Sequence, residues 1–121
     1  MESTLSTVLE CFKRNVKERP DAEFIGWRVK QPTGELSSTF SWKTNAEINT
    51  MAERLAMSMI DGDFCPLVEG ENEGEQLRFC GIWSKNRMEW STTLLACMHV
   101  KVVPVGFYEA MSEDQIDFIL N

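Results

Sequence analysis

The chain lacks most of the residues by which a reactive site is usually recognised. Its only histidine is His99, and no two of its cysteines are spaced as Cys-x-x-Cys, so a zinc site is poorly supported. It has no glycine-rich loop ending in Lys-Ser or Lys-Thr, which excludes the P-loop phosphate motif. A catalytic Cys97–His99 pair is disfavoured because residues two apart lie on different sides of a helix. We therefore predict no catalytic, cofactor-binding or metal-binding residue.

Targeting signals are missing as well. Glu2 and a polar start stand where a signal peptide has basic and apolar residues. No apolar run reaches the length of a membrane span. We expect a cytoplasmic protein with reduced thiols and no transmembrane segment. Cys80 and Cys97 lie within apolar patterns, so we predict that both are small core residues.

Negative charge predominates in the chain. The 121 residues carry a net charge of −7, which disfavours nucleic acid as a partner because its phosphates would be repelled. Residues 61–76 contain no Lys or Arg, and we interpret them as a solvated surface loop. The alternative, a calcium site, lacks the ligand spacing of an EF-hand loop. The acidic residues of this segment are Asp61, Asp63, Glu69, Glu71, Glu73 and Glu75.

The first half of the chain predicts a helix, a β-hairpin and a second helix. Residues 6–18 are predicted to be helical and to stop at Pro20. Strands are predicted at residues 23–29 and 35–42, flanking a turn whose sequence is Gln31-Pro32-Thr33-Gly34. The apolar residues at helical spacing in the first helix are Leu5, Leu9, Phe12 and Val16, and one face of the second strand carries Leu36, Ser38, Phe40 and Trp42.

Residues 44–60 give the clearest helix prediction. Thr44 and Glu47 have the spacing of a capping box, in which the hydroxyl and the carboxylate each bind a free backbone N–H. Asp61 and Gly62 are predicted to end the helix. Its apolar stripe has a period of 3.6 residues and consists of Ile48, Met51, Ala52, Leu55, Met59 and Ile60.

The second half predicts a strand–helix–strand unit followed by another helix. Residues 77–83 and 102–107 are apolar runs typical of parallel strands covered on both faces. The helix between them is predicted to be capped by Asn86 and Glu89, and to turn Trp90, Leu94, Cys97 and Met98 inward. Ser112 and Gln115 predict a cap for the final helix, which bears Ile116, Ile119 and Leu120. The expected class is α/β: an N-terminal hairpin plus a βαβ unit of an incomplete, mainly parallel sheet.

Several polar residues allow two interpretations. The turn Ser84-Lys85-Asn86 could hold an anion at a helix start, although capping is favoured because Glu89 occupies the positive end. Arg87 could pair with a carboxylate of a neighbouring segment or face a ligand. His99 is interpreted as a stabilising charge at a helix end.

Aromatic and acidic residues are also ambiguous. Trp27, Trp42, Trp83 and Trp90 favour core or rim packing over a stacking platform. The carboxylates Glu109, Glu113, Asp114 and Asp117 favour interaction with a helix dipole over acid–base catalysis.

A series of motifs resembles the long-chain acyl-CoA synthetases of the adenylate-forming superfamily. Together the motifs cover most of the chain in the order that the family has. They are Arg19-Pro20-Asp21-Ala22, Gly26-Trp27-Arg28, Phe40-Ser41-Trp42, the segment from Cys80 to Trp90 with its Asn86-Arg87-Met88-Glu89-Trp90, Val103-Pro104-Val105-Gly106-Phe107-Tyr108-Glu109, and residues 116–121.

The resemblance implies that residues 1–121 form a partial N-terminal domain whose remaining chain is a partner. The full-length enzyme would use ATP, Mg²⁺ and coenzyme A to activate a fatty acid, first as an acyl-adenylate and then as acyl-CoA, in the cytoplasm or at the cytosolic face of a membrane. The phosphate loop, the aromatic-Gly-x-Thr-Glu motif, the ribose-binding Asp and the catalytic Lys of the family match no residues here. The matched Asn86, Arg87, Glu89 and Trp90 carry over as structural residues.

The expected function is therefore that of the N-terminal part of an ATP-dependent long-chain fatty acid:CoA ligase, with the isolated chain inactive. One alternative is another adenylate-forming acid:CoA ligase. The other is a non-catalytic α/β binding or interaction module, which should close its sheet and leave little apolar surface exposed.

Overall fold

The computed structural model describes residues 7–120, which form four helices and three two-stranded sheets. Leu5, Ser6 and Asn121, which belong to predicted helices, lie outside the described residues. The expected α/β class is confirmed. The elements in chain order are α1 (Val8–Glu18), β1 (Glu23–Lys30), β2 (Leu36–Thr44), α2 (Asn45–Asp61), β3 (Val68–Glu69), β4 (Gln76–Leu77), β5 (Phe79–Trp83), α3 (Met88–His99), β6 (Val103–Phe107) and α4 (Glu113–Leu120).

Three of the helices have a capping box at their N-terminus. In α2, Thr44 accepts a hydrogen bond from the Glu47 backbone N–H, and Glu47 accepts one from the Thr44 N–H, as predicted. Ser112 and Gln115 make the same exchange at α4. The box at α1 was not anticipated; its residues are Thr7 and Glu10.

The predicted cap of α3 is wrong. Arg87, rather than Asn86, occupies the cap position, and no side chain caps the helix. Glu89 is consequently one position too early in the helix to reach back as a capping-box carboxylate. Glu89 instead accepts hydrogen bonds from the Arg87 guanidinium. The predicted Asn86 cap is wrong because the helix starts one residue later than the spacing implied.

The core lies where α2 packs on α3. Ile48, Ala52, Ala96 and Cys97 are fully buried there. Phe12 of α1 joins the same cluster, which explains why the amphipathic first helix docks on this layer. On α3 the buried leucine is Leu95, whereas the predicted Leu94 is half-buried.

The first hairpin is confirmed, but its predicted apolar face is exposed. β1 and β2 pair antiparallel, and the turn closes through Gly34, whose φ of 89° is readily adopted only by glycine. The side chains of Leu36, Phe40 and Trp42 are about half exposed, and the Phe40 and Trp42 rings lie 5.7 Å apart between centroids.

The acidic segment is more regular than the surface loop that its charge predicted. β3 and β4 pair antiparallel, with Val68 opposite Leu77 and Glu69 opposite Gln76. The Gly70 N–H donates to the Glu75 carbonyl at 2.9 Å, which extends the hairpin toward its turn. We call residues 65–80 the acidic hairpin segment. Because Leu77 belongs to β4, β5 starts later than predicted.

The predicted strand–helix–strand unit is confirmed as a parallel pair. β5 and β6 align from Phe79 opposite Val103 to Trp83 opposite Phe107. The expectation that both strand faces are covered is wrong: Ile82 and Phe107 are buried, but Phe79, Val103 and Trp83 remain exposed. Side chains alternate across a strand, so Ile82 lies on one face, whereas Phe107 lies on the other face together with Phe79, Trp83 and Val103. That second face is therefore covered only in part.

Candidate functional site

A cleft of about 470 Å³ lies beyond the carboxyl ends of β5 and β6. In open parallel sheets this edge is where ligands commonly bind, so the cleft is the candidate site. Its walls come from the turn after β5, the start of α3 and the end of β6. The lining residues are Ser84, Lys85, Asn86, Trp90, Gly106, Phe107, Tyr108 and Glu109.

An ion pair spans the mouth of this cleft. Lys85 Nζ lies 3.0 Å from Glu109 Oε1, and both side chains are largely exposed. Lys85 follows β5 and Glu109 follows β6, so the parallel register brings the two strand ends together. The pair offsets the charge of Lys85.

The start of α3 carries a second, internal pair. Arg87 Nε and Nη2 donate to the Glu89 carboxylate at 3.2 and 3.0 Å. A hydrogen bond from its own backbone N–H, together with the Arg87 guanidinium, holds the pKa of Glu89 below its usual value. Arg87 therefore binds a carboxylate two residues away rather than one on a neighbouring segment. The ionised Glu89 also disfavours an anion at this helix end.

Aromatic rings flank the cleft on two sides. Trp90 is half-buried, while the Tyr108 side chain is exposed. At Gly106 an added Cβ would meet only the Trp90 ring, at 3.9 Å, so the cleft floor is open. Of the other tryptophans, Trp27 is half-buried as predicted. Trp83 is 59% exposed, so of the predicted core or rim packing a core position is excluded for it.

His99 ends α3 as predicted, but it does not act as a charged helix terminus. Its Nε2 atom is buried and finds no hydrogen-bond partner among residues 7–120. Burial, followed by the nearby charge of Lys13, lowers the pKa of His99, with Glu53 opposing weakly. The neutral imidazole is favoured, so the predicted charge–dipole role is overturned by desolvation.

Nucleophilic and metal chemistry find little support at this site. Burial, followed by the neighbouring thiol of Cys80, raises the pKa of Cys97 to about 12, so Cys97 is not a nucleophile at neutral pH. Within residues 7–120, no group of His, Cys, Asp and Glu side chains could hold a metal ion. Glu113 and Asp114 lie in the first turn of α4, where carboxylates favour the helix dipole.

No helix within the described range combines the length and apolar character that a bilayer span requires.

Sequence reasoning missed the pairing of Lys85 with Glu109. The predicted dipole role of Glu109 is also wrong in position, because Glu109 precedes the last helix. The available signal was the parallel strand prediction: residues that follow two adjacent parallel strands meet at one sheet edge. The burial of Cys65 was also missed, because the acidic residues on both sides of it indicate an exposed segment.

No protein-family profile matches the chain. Among curated proteins it is similar to a peroxisomal acyl-CoA ligase 891 of Penicillium roqueforti, at 23% identity over all 121 residues. It is also 24% identical over 119 residues to long-chain-fatty-acid–CoA ligase 5 of Rattus norvegicus, and 25% identical over 116 residues to long chain acyl-CoA synthetase 2 of Arabidopsis thaliana. The chain spans only 15–16% of the length of these relatives.

A solved structure supports the fold independently. The didomain of a carboxylic acid reductase from Segniliparus rugosus, comprising its adenylation and carrier domains in complex with AMP, matches 98% of this chain with a TM-score of 0.68 and 12% identity. The match covers 17% of that structure. The chain is thus similar to acyl-CoA ligases in sequence and to the carboxylic acid reductase structure in fold, and its resemblance to the acyl-CoA ligases is confirmed.

Proposed function

We propose that the chain is part of an ATP-dependent long-chain fatty acid:CoA ligase and forms a partial N-terminal domain of that enzyme. The observation that carries the proposal is the similarity of the whole chain to curated acyl-CoA ligases. The full-length enzyme would join a fatty acid to AMP with release of pyrophosphate. It would then transfer the acyl group to coenzyme A.

The exposed face of the β5–β6 sheet supports a larger protein. Phe79, Trp83 and Val103 are 45%, 59% and 39% exposed. Contiguous exposed apolar surface on a sheet is typical of an interface, and unpaired strand edges favour further pairing. The remainder of the ligase chain is the partner that we propose for this face. A free-standing interaction module would be expected to cover it.

The described residues do not fit the nucleotide of the reaction. A phosphate in the cleft would approach Glu109, and Lys85, the cation among the lining residues of the cleft, is already paired with Glu109. ATP, Mg²⁺ and coenzyme A are therefore proposed to bind to the remainder of the enzyme. It follows that the 121 residues alone should not form acyl-CoA. We propose a cytoplasmic location, with the cytosolic face of a membrane as the alternative.

The length and activity of the native polypeptide test this proposal. An antibody raised against residues 61–76 would capture the protein from its source, and intact mass would give its length. The captured protein would then be assayed for acyl-CoA formation from ATP, coenzyme A and fatty acids of graded chain length. The purified 121-residue chain serves as the matched control.

We expect a polypeptide about six times longer than this chain, since the chain spans 16% of a relative, with activity on long-chain acids and none in the control. Activity confined to short or aromatic acids would overturn the long-chain specificity and favour another acid:CoA ligase. A native chain of 121 residues without activity would overturn the ligase proposal and favour a binding module.

A further inference from the structure

The acidic hairpin segment forms a groove that reaches the first residue of β5. The groove has a volume of about 450 Å³. Its apolar lining residues are Leu77, which is half-buried, and Phe79, which is 45% exposed. Glu69, Glu71 and Glu75 line the same groove. An apolar surface edged by negative charge is therefore open to solvent among the described residues.

The charge of this groove is not neutralised in the part of the chain that the structure describes. The four carboxylates of the acidic hairpin segment form no ion pair with any of residues 7–120; they belong to Glu69, Glu71, Glu73 and Glu75. Glu75 accepts hydrogen bonds from Asn72, which carries no charge. A cationic partner for the groove must therefore come from outside the described residues.

The backbone of the hairpin keeps these like charges close together. The Gly70 N–H donates to the Glu75 carbonyl at 2.9 Å, and the Glu75 N–H donates to the Asn72 carbonyl at 3.0 Å. The carboxylates therefore cannot separate as they would in an extended, solvated loop, and their repulsion opposes the hairpin. A cation bound beside them would offset this repulsion, most strongly where its carrier excludes water.

Lysine and arginine side chains have the chemistry that the groove fits. Their alkyl stems pack on apolar surface while their charged heads stay at a polar edge. Here Leu77 and Phe79 would contact the stem, and the neighbouring carboxylates would bind the head. Anionic lipid and nucleic acid would be repelled. A second copy of this chain, with its net charge of −7, is disfavoured for the same reason.

The remainder of the ligase chain is the occupant that these observations favour. Phe79 belongs both to the groove and to the exposed apolar residues of the β5–β6 sheet, so a segment that covers the sheet would reach the groove. The curated relatives are long enough to supply such a segment, since this chain spans 15–16% of their length.

We propose that a lysine- or arginine-bearing segment of that remainder docks in the groove, with its cationic head beside Glu69 and Glu71. The inference rests on the proposed function, because it takes the partner from the longer ligase chain. It adds to that function the chemistry of the contact and its place on the acidic hairpin segment.

Carboxyl footprinting of the native-length polypeptide tests this proposal. The protein is purified alone, labelled with a water-soluble carbodiimide and glycine ethyl ester, and digested for mass spectrometry. We expect Glu69 and Glu71 to be labelled several-fold more slowly than Glu73. Glu73 is the matched internal control, because it is exposed in the same hairpin but does not line the groove.

A charge reversal in the groove separates an ion pair from simple coverage. Glu71→Lys should release the segment and raise the labelling rate of Glu69 several-fold above that in the original polypeptide. Glu73→Lys is the matched variant and should leave Glu69 protected. The footprint of the original polypeptide decides the question even where a variant fails to fold.

Three results would overturn the proposal. Equal labelling of Glu69, Glu71 and Glu73 would mean that the groove is open. Protection that appears only at high protein concentration would assign the groove to a second copy. Continued protection of Glu69 in Glu71→Lys would mean that no cation binds there. Each result leaves the ligase proposal standing if the native polypeptide has the expected length and forms acyl-CoA, whereas a native chain of 121 residues would overturn both.

Discussion

The α2–α3 layer and the β5–β6 sheet use apolar residues in opposite ways. In the helical layer Ile48, Ala52 and Ala96 are fully buried. In the sheet Phe79 and Trp83 remain about half exposed, although they belong to an equally apolar segment. α4 extends the contrast, since no residue of this helix is buried.

The difference indicates where the stability of the described structure resides. Burial of apolar surface is the main favourable contribution to folding, so the free energy of unfolding should depend chiefly on the helical layer. The sheet buries Ile82 on one face and Phe107 on the other, and leaves Phe79, Trp83 and Val103 on that second face for contacts outside it. We expect substitutions to divide accordingly, with large effects in the layer and small effects on the sheet.

The largest effect is expected for Ile48→Ala. Ile48 is fully buried in the α2–α3 contact, and removing its side chain leaves a cavity as well as losing transfer free energy. We expect the free energy of unfolding to fall by about 2–5 kcal/mol. Urea titration followed by circular dichroism measures it. The matched control is Met57→Ala on the same helix, where the side chain is 59% exposed. Equal losses of unfolding free energy in Ile48→Ala and Met57→Ala would contradict the expectation that stability depends on the buried helical layer.

A loss of about 1 kcal/mol is expected for Thr44→Ala, which removes the capping box of α2. Ser112→Ala removes the equivalent box of α4, but the urea midpoint should stay unchanged because no residue of α4 belongs to the buried core. Urea titration followed by circular dichroism, with the loss of helical signal recorded for each variant, compares the effects of the two substitutions. A common shift of the midpoint would show that α4 unfolds together with the helical layer.

A smaller effect is expected from acidification, through His99. Its folded pKa lies below the ordinary value of 6.5, so the unfolded chain binds the proton more readily. Its stabilising contribution is complete above about pH 6.5 and is lost as pH falls through the lower, folded pKa.

Urea midpoints measured between pH 7.5 and pH 5 check this expectation. His99→Asn is the matched variant, and its midpoint should vary less over that range because the buried imidazole is gone. If the urea midpoint of His99→Asn varied with pH as much as that of the original chain, the loss of stability on acidification would come from other titrating groups.

Local signals were sufficient for most of the fold. The boxes at Thr44 and Ser112 and the turn at Gly34 depend on residues close in sequence, and the structure confirms each. The cap of α3 was predicted wrongly because the helix begins one residue later than the spacing implied, with Arg87 at the cap position. The hairpin formed by β3 and β4 was missed because its strands are very short and its charge is that of a solvated loop.

The candidate site was less predictable, since it depends on segments far apart in sequence. Lys85 and Glu109 meet only because β5 and β6 are parallel and in register. The state of His99 depends on burial and on Lys13 of α1, which no local pattern reveals. Cys65 similarly becomes a core residue through contacts that Arg78 helps to hold.

The smallest effect is expected for Trp83→Ser on the exposed face of the sheet. Trp83 is 59% exposed, so in the 121-residue chain its loss should change the free energy of unfolding by no more than about 0.5 kcal/mol. Trp90→Ser is the matched control, and it should cost more because Trp90 is half-buried in the cleft. Urea titration measures both variants, and sedimentation should show weaker self-association for Trp83→Ser.

The same substitution in the longer native polypeptide distinguishes a solvent-exposed tryptophan from one that has a partner. If the remainder of the proposed ligase covers the β5–β6 face, Trp83→Ser removes a buried aromatic side chain there, and the loss should rise to about 3–5 kcal/mol. Thermal unfolding of the two lengths, each with and without the substitution, measures the difference. An equally small effect in both lengths would mean that this face stays open, and the partner proposed for it would be wrong.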